Sequence, residues 1–199
     1  LSMKIEEYIK SLPNDIISGN EVQLPDDSLR KIFEFLNLDG NDIFYHLGCG
    51  DGAGIKIALQ EFHVKNAIGV DNNKEKIQQA IKLVKKNHLE DGKFLCEDVV
   101  TAKIDDATAI LFWFTDTKII EKMKKRFQSL KHGCRIVTIW GPLPECLPTQ
   151  VDFPYIINQV PFKHADLKEQ LLAIFGIKCI DFVTAWEYAE RYTKAVAPD

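Results

Sequence analysis

With 199 residues, 46% of them hydrophobic, and a formal charge of −4, the chain has the balance of a globular protein built on one substantial core, and it lacks the basic footprint of a DNA binder. Its apolar runs fall short of the roughly 18–20 residues of a membrane span, and the N-terminal "LSMKIEEYIKSLPND", in which Met3 could be the natural start, lacks the apolar stretch of a signal peptide. The five cysteines, Cys49, Cys96, Cys134, Cys146 and Cys179, are odd in number and scattered, which suggests neither a disulfide framework nor a metal site and points to a reducing, cytoplasmic setting.

In chain order, 3–12 reads as a short amphipathic helix and 13–27 as a loop. Asp27 or Ser28 then caps a helix over 29–38, with Leu29, Ile32, Phe33 and Leu36 on one face. From there strand and helix signals alternate. Strands are expected at 42–47, 66–71, 92–98, 107–114 and 134–140, and helices at 54–63, 73–88 and 117–130. The strand "ATAILFWF" is apolar throughout, as a strand buried on both faces is. The helix after it turns Ile119, Ile120, Met123 and Phe127 inward. Such alternation predicts βαβ units, an α/β fold with a parallel sheet and helices on both faces. Beyond Trp140 the pattern changes. Five prolines, at 142, 144, 148, 154 and 161, exclude a helix interior. A long loop is expected there, then a strand over 155–160, a helix over 165–176 ended by Gly176, a strand over 177–186 and an undecided element over 187–196. No linker divides the chain. It reads as one domain over 1–199, with a helical lead-in (1–40), a cofactor-binding core (41–140) and a C-terminal α/β addition (141–199).

Chemistry concentrates at three strand ends. "FYHLGCGDGAGI" (44–55) closes the first strand with glycines at 48, 50, 52 and 54. Glycine accepts positive φ and lets a ligand approach the backbone, and the helix that follows points N–H groups at an anionic group. Asp71 in "GVDNN" closes the second strand 23 residues after Gly48, near the ~20-residue spacing of a carboxylate that grips ribose hydroxyls. A helix N-cap is its other role. Asp98 in "CEDVV" follows the third strand, where it could accept a hydrogen bond from an adenine amino group with Val99 packed on the ring. An ordinary turn is the alternative. Ligands of open α/β sheets sit beyond the C-terminal strand ends, so three such stations describe an adenosine-containing cofactor. The glycine spacing also suits a nicotinamide dinucleotide. Against that, little chain remains for a hydride-transfer substrate region, and a helix precedes the sheet that a nucleotide domain does not need.

"LGCGDG", "GVD" and "CED" resemble, in order and spacing, the motifs of class I S-adenosylmethionine-dependent methyltransferases, over residues 20–140. The resemblance implies a Rossmann-like, seven-stranded, mostly parallel sheet with a final antiparallel strand, and S-adenosyl-L-methionine as cofactor. It places the methionine part along Gly48, Cys49 and Gly50, the ribose on Asp71 with Asn72 beside it, the adenine near Asp98 and Val99, and Trp113 at the cofactor's edge. His46 stands where the family has a carboxylate that helps hold the cofactor's ammonium. A neutral imidazole brings no negative charge, so weaker binding is expected, falling further below about pH 6.5. Two longer stretches carry a narrower resemblance. "VQLPDDSLRKIFEFLNL" is similar to the lead-in of small archaeal protein-lysine methyltransferases, where a proline-containing loop helps cover the cofactor. "ATAILFWFTDTKIIEKMKKRFQSLKHGCRIVT" is similar to the same enzymes and to the seven-strand nucleosomal histone-lysine methyltransferase.

The narrower resemblance implies a protein lysine as substrate. Such a lysine must first shed a proton, against a solution pKa of about 10.4, and burial in an apolar channel favours that. Phe114, Thr115 and Trp140 are the candidate substrate wall, with Trp113 adjoining. Aromatic faces attract an incoming ammonium by roughly 0.5–2 kcal/mol. Core packing is the plainer role for Trp113 and Phe114. No general base is required; Asp116 is the candidate if one exists, and Cys146 is a lone candidate nucleophile. The fourth strand ends in "FWFTD" rather than Asn/Asp-Pro-Pro-aromatic, which argues against methylation of adenine or glutamine amide nitrogens. Two other classes stay open. One is a methyltransferase for a small molecule or RNA, with 141–199 forming its pocket. The other is a non-catalytic relative weakened by His46. The C-terminal addition could also support a homodimer.

Overall fold

A computed structural model describes residues 23–176, so the elements expected at 3–12, 177–186 and 187–196 lie outside the described residues. The elements are α1 (Asp26–Phe35), β1 (Ile43–Leu47), α2 (Ala53–Gln60), β2 (Asn66–Asp71), α3 (Lys74–Lys86), β3 (Gly92–Cys96), β4 (Ala109–Phe112), α4 (Thr117–Phe127), β5 (Arg135–Ile139), β6 (Gln150–Asp152), β7 (Tyr155–Gln159) and α5 (Leu167–Phe175). The strands form one seven-stranded sheet in the order β3-β2-β1-β4-β5-β7-β6. β1 to β5 pair in parallel, while β7 runs antiparallel to both β5 and β6. This is the expected α/β sheet, antiparallel strand included.

Strand periodicity divides the core in two. Phe44, Leu111, Val137 and Ile139 face α1 and α2, whose Leu29, Ile32, Phe33, Leu36, Ile55 and Ala58 complete one cluster. Their neighbours Tyr45, Ile110, Phe112 and Ile136 face the other way and meet Met123 and Phe127 of α4. β4, apolar at every position, is buried along its whole length, as a central strand covered on both faces must be. In α4, Met123 and Phe127 are fully buried while Ile119 and Ile120 are half-buried against the same cluster.

α1 starts earlier than its capping residues suggest. Its N-cap is Pro25, without a side-chain cap, and Asp26 and Asp27 lie in its first turn, where their charge complements the helix dipole. Asp27 instead pairs with Arg30 at 2.9 Å, and Ser28 is half-buried in that first turn.

The loop expected after β5 holds a further strand, β6, seen only through its pairing with β7. Three residues are too few for alternation to register. The rest of that loop is pinned by two buried amides. Asn158 accepts from the Leu143 N–H (3.0 Å) and donates to the Leu147 carbonyl (3.1 Å), while Gln170 donates to the carbonyls of Leu143 (3.0 Å) and Cys146 (2.9 Å). A proline-rich segment has few N–H groups for a ladder, so side-chain amides satisfy its buried polar atoms.

The far end of the sheet is fastened by Asp42, only 5% exposed. Its carboxylate accepts from Arg135 Nη2 (3.0 and 3.1 Å), Thr108 Oγ1 (2.7 Å) and the Asp39 N–H (3.0 Å). Arg135 Nε also donates to the Leu36 carbonyl at 3.0 Å, which ties the end of α1 to β5.

Candidate cofactor site

Strand order reverses between β1 and β4, and the crevice beyond the C-terminal strand ends at such a point is where α/β sheets take ligands. The glycine loop leaves β1 there. Gly48 and Gly50 adopt φ of +80° and +53°, a backbone that side chains rarely tolerate. A Cβ on Gly48 would lie 3.4 Å from Phe114 Cζ, and one on Gly50 would lie 3.1 Å from Gln23 Nε2. Phe114 thus borders one end of the loop, and the lead-in, through Gln23, crosses the other.

The loop is tied to β2. The N–H groups of Gly48 and Cys49 donate to the Val70 carbonyl at 2.7 and 3.0 Å. Asp71 accepts from the Gly50 N–H (2.9 Å) through one oxygen and from the Asn73 N–H (2.9 Å) through the other. A single carboxylate therefore sets the glycine loop against the start of α3. The N-cap of α3 is Asn73, which accepts from the Lys76 N–H at 3.1 Å; Asp71 stands before it, and Asn72 is exposed. Cys49 fills a narrow seat: its sulfur lies 2.7 Å from where a Cβ on Gly69 would stand. Burial pushes its thiol far up, which leaves it no nucleophilic part.

His46 is buried at the root of the loop, 9% exposed, beneath the first turn of α2. Its Nδ1 has no hydrogen-bond partner. Burial lowers the imidazole pKa to about 4, with the Asp71 carboxylate opposing part of that shift. This corrects the expected weakening below pH 6.5, because His46 stays neutral through that range. The N-terminus of α2 also differs from expectation. Asp51 Oδ1 accepts from the Ala53 N–H at 3.1 Å and from Gln23 Nε2, so the first helical N–H is already engaged.

Asp98 is exposed beyond β3. Its Oδ1 accepts from the Val100 N–H (2.9 Å), and its carbonyl accepts from the N–H groups of Thr101 and Ala102 (3.0 Å each). The turn role is therefore realised, with the carboxylate held at the surface. Val99 is buried in the α4-side cluster. The Glu97 N–H donates to the Asp71 carbonyl at 3.1 Å, joining the ends of β2 and β3.

The aromatic residues after β4 and β5 fall on opposite faces. Trp113 and Trp140 pack against the α1-side cluster. Phe114 stacks on Phe112 with ring centres 5.0 Å apart, on the other face. Trp140 has φ of +77°, rare for a bulky residue and of the kind that gathers at functional sites. Its N–H donates to the Pro154 carbonyl at 2.7 Å, and its ring meets Phe153 edge-on at 5.7 Å. Thr115 is half-buried, two residues before the start of α4. Asp116 is the N-cap of α4, accepting from the N–H groups of Lys118 (2.8 Å) and Ile119 (3.2 Å). Cys146, 1% exposed, has its thiol pushed up by burial; it is a core residue rather than a nucleophile.

These residues fit S-adenosylmethionine on two observations. The loop backbone at Gly48 and Gly50 has positive φ that side chains rarely adopt, and an unpartnered buried nitrogen lies at its root. The family described as Histone methylation protein DOT1 matches residues 20–170. The chain belongs to that family. A protein-lysine N-methyltransferase of Saccharolobus islandicus (strain REY15A) is 33% identical over 119 residues, 59% of this chain and 73% of that one. Among solved structures, an RNA methyltransferase from Salinibacter ruber in complex with S-adenosyl-L-homocysteine superposes with a TM-score of 0.66 at 20% identity, covering 73% of this chain and 97% of that one. A geranyl diphosphate C-methyltransferase from Streptomyces coelicolor A3(2) gives 0.52 at 18% identity, over 58% and 47% of the two chains. At those identities the likeness is one of fold. The DOT1-family chain is an S-adenosylmethionine-dependent methyltransferase of the class I fold. No helix among its described residues is long and apolar enough to cross a membrane.

Gln23 and Asp51 escaped the sequence-based site. Gln23 was signalled only by the lead-in "VQLP", and Asp51 by the turn-forming "DG".

Proposed function

We propose that this methyltransferase acts on the side-chain amine of a protein lysine. The observation that carries the proposal is the 33% identical relative named for that activity, joined to a match with a histone methylation family over 20–170. Bound S-adenosylmethionine supplies an electrophilic methyl group, so the protein's main task is to hold donor and amine in line. In this assignment Gly48 to Gly50 carry the methionine part, Asp71 accepts from the ribose hydroxyls and Asp98 accepts from the adenine amine. His46, neutral, underlies the root of the loop that carries the cofactor's ammonium and adds no charge there. Phe114 closes the glycine loop against water. Trp113 and Trp140, with Thr115, border the amine's approach, where apolar surroundings favour its uncharged form. Asp116 is engaged as a helix cap, and deprotonation by desolvation needs no dedicated base.

The test is transfer of a labelled methyl group from S-adenosylmethionine into separated protein, RNA and small-molecule fractions of a lysate. Label in protein, recovered as methyl-lysine after hydrolysis, is the expected result. Label in RNA or small molecules alone overturns the proposal.

A further inference from the structure

Arg126 lies in the last turn of α4, away from the glycine loop, and nothing in the sequence motifs draws attention to it. Its guanidinium makes no ion pair among the described residues. It is directed instead at main chain: Nη1 donates to the Val99 carbonyl at 2.9 Å and Nη2 to the Ala102 carbonyl. Those two carbonyls bracket the turn that begins at Asp98. Within that turn, the Asp98 side chain is oriented by the Val100 N–H at 2.9 Å and its carbonyl receives the Thr101 and Ala102 N–H groups. The near end is fixed as well, because the Glu97 N–H donates to the Asp71 carbonyl at 3.1 Å. Val99 and Ala102 are 7% and 0% exposed, so their carbonyls sit where water cannot replace a lost donor cheaply. A planar fork with several fixed donors suits two carbonyls at once, which a lysine ammonium does not reproduce.

We infer that Arg126 is a positioning residue for the cofactor's adenine end. It clamps the Asp98–Ala102 turn so that the exposed Asp98 carboxylate meets the adenine amine. The inference rests on the assignment of Asp98 to that amine. It adds a long-range connection: α4, which packs on one face of the sheet, sets the geometry of a station beyond β3 at the sheet's edge.

The experiment is calorimetric titration of wild type, Arg126→Ala and Arg126→Lys with two probes, S-adenosylhomocysteine and its deaminated analogue S-inosylhomocysteine. Wild type should prefer the adenosine probe by about tenfold or more, the loss expected when a charged acceptor has no donor to meet. Arg126→Ala should weaken the adenosine probe by about tenfold and bring the preference close to one, with the inosine probe changing less. Arg126→Lys, the conservative variant, should fold like wild type and keep only part of the preference, which leaves a readout if the alanine variant is unstable. With any methyl acceptor found, KM for S-adenosylmethionine should rise while kcat at saturating cofactor holds. A purely structural arginine would lower thermal stability and weaken both probes equally; that result, or a full wild-type preference in both variants, overturns the inference. A wild type that binds the adenosine probe without preferring it overturns the inference and the Asp98 assignment but leaves the cofactor site standing. A wild type that binds neither probe refutes the cofactor site itself.

Discussion

Gly54→Ala sets two effects of opposite sign against each other. Within a helix, alanine ordinarily gains about 0.5–1 kcal/mol over glycine. Here the added Cβ would stand 2.6 Å from His46 Nδ1 and 3.1 Å from its Cε1, with Leu29 Cδ2 at 3.5 Å. Non-bonded heavy atoms prefer about 3.5–4.0 Å, so something must move by close to an ångström. His46 has little room to yield, being 9% exposed and flanked by the Phe44 ring and Leu29. Forcing a methyl group into a packed core costs about 1–3 kcal/mol, which exceeds the helical gain. The expected net loss is therefore about 1–2 kcal/mol. His46→Ala opens the space, and alanine at 54 should then be neutral or favourable. The resulting coupling should be about 1–3 kcal/mol, the range for residues in contact. Urea unfolding of wild type, both single variants and the double variant measures all four corners. A Gly54→Ala protein at least as stable as wild type, or a coupling indistinguishable from zero, would refute the placement of His46 beneath the first turn of α2.

Acid should expose the same histidine. Its folded pKa of about 4 lies below the unfolded value of 6.5, so the unfolded chain takes up the proton first. Stability from His46 is fully present above pH 6.5 and is lost as pH falls toward 4, by up to about 3 kcal/mol. Replacing His46 with Gln should flatten that part of a stability–pH curve, and an unchanged slope between pH 6.5 and 4 would count against a buried neutral imidazole. Asp42→Ala leaves Arg135 without its carboxylate and should cost about 3–5 kcal/mol, with Asp42→Asn milder; denaturation midpoints within error of wild type would show the network to be idle. Asn158→Ala strands a buried N–H and a buried carbonyl, at about 1–3 kcal/mol each. It should make 141–149 the first site of limited proteolysis, and an unaltered cleavage pattern would contradict the pinning of that loop.

Much of the fold was legible because its signals are periodic. The alternation of Phe44 and Tyr45, or of Leu111 and Phe112, assigns neighbouring residues to opposite faces, and the uniformly apolar β4 marks the sheet's centre. The ends of elements were less legible. α1 begins at Asp26, since a first turn can be stabilised by acidic residues without a capping side chain. β6 is three residues long and exists by pairing, which no local pattern encodes. In the site, the glycines, Asp71 and Asp98 stand out because their types and spacing are tied to strand ends. Partners that act across long separations do not. Gln23 crosses the glycine loop and Arg126 reaches the Asp98 turn, contacts made 28 and 27 residues apart in sequence. His46 was visible as a departure from the family pattern, but its protonation state depends on burial that only the packed helix supplies. Asp116 and Cys146 drew chemical attention by residue type, and their surroundings give them structural work.

The most direct test of the site is calorimetric titration of S-adenosylhomocysteine into wild type and Asp71→Asn. The Asp71 carboxylate joins the Gly50 and Asn73 N–H groups, each at 2.9 Å, and by assignment it also takes the ribose hydroxyls. An amide keeps one acceptor oxygen and loses the charge. A hydrogen bond to a charged group contributes about 1.5–3 kcal/mol, so the variant should bind at least about tenfold more weakly while staying folded. Saturable one-to-one binding by wild type, weakened to that extent by Asp71→Asn, is the expected result. No binding by wild type, or equal affinity in the two proteins, would contradict a cofactor site at the ends of β1 and β2.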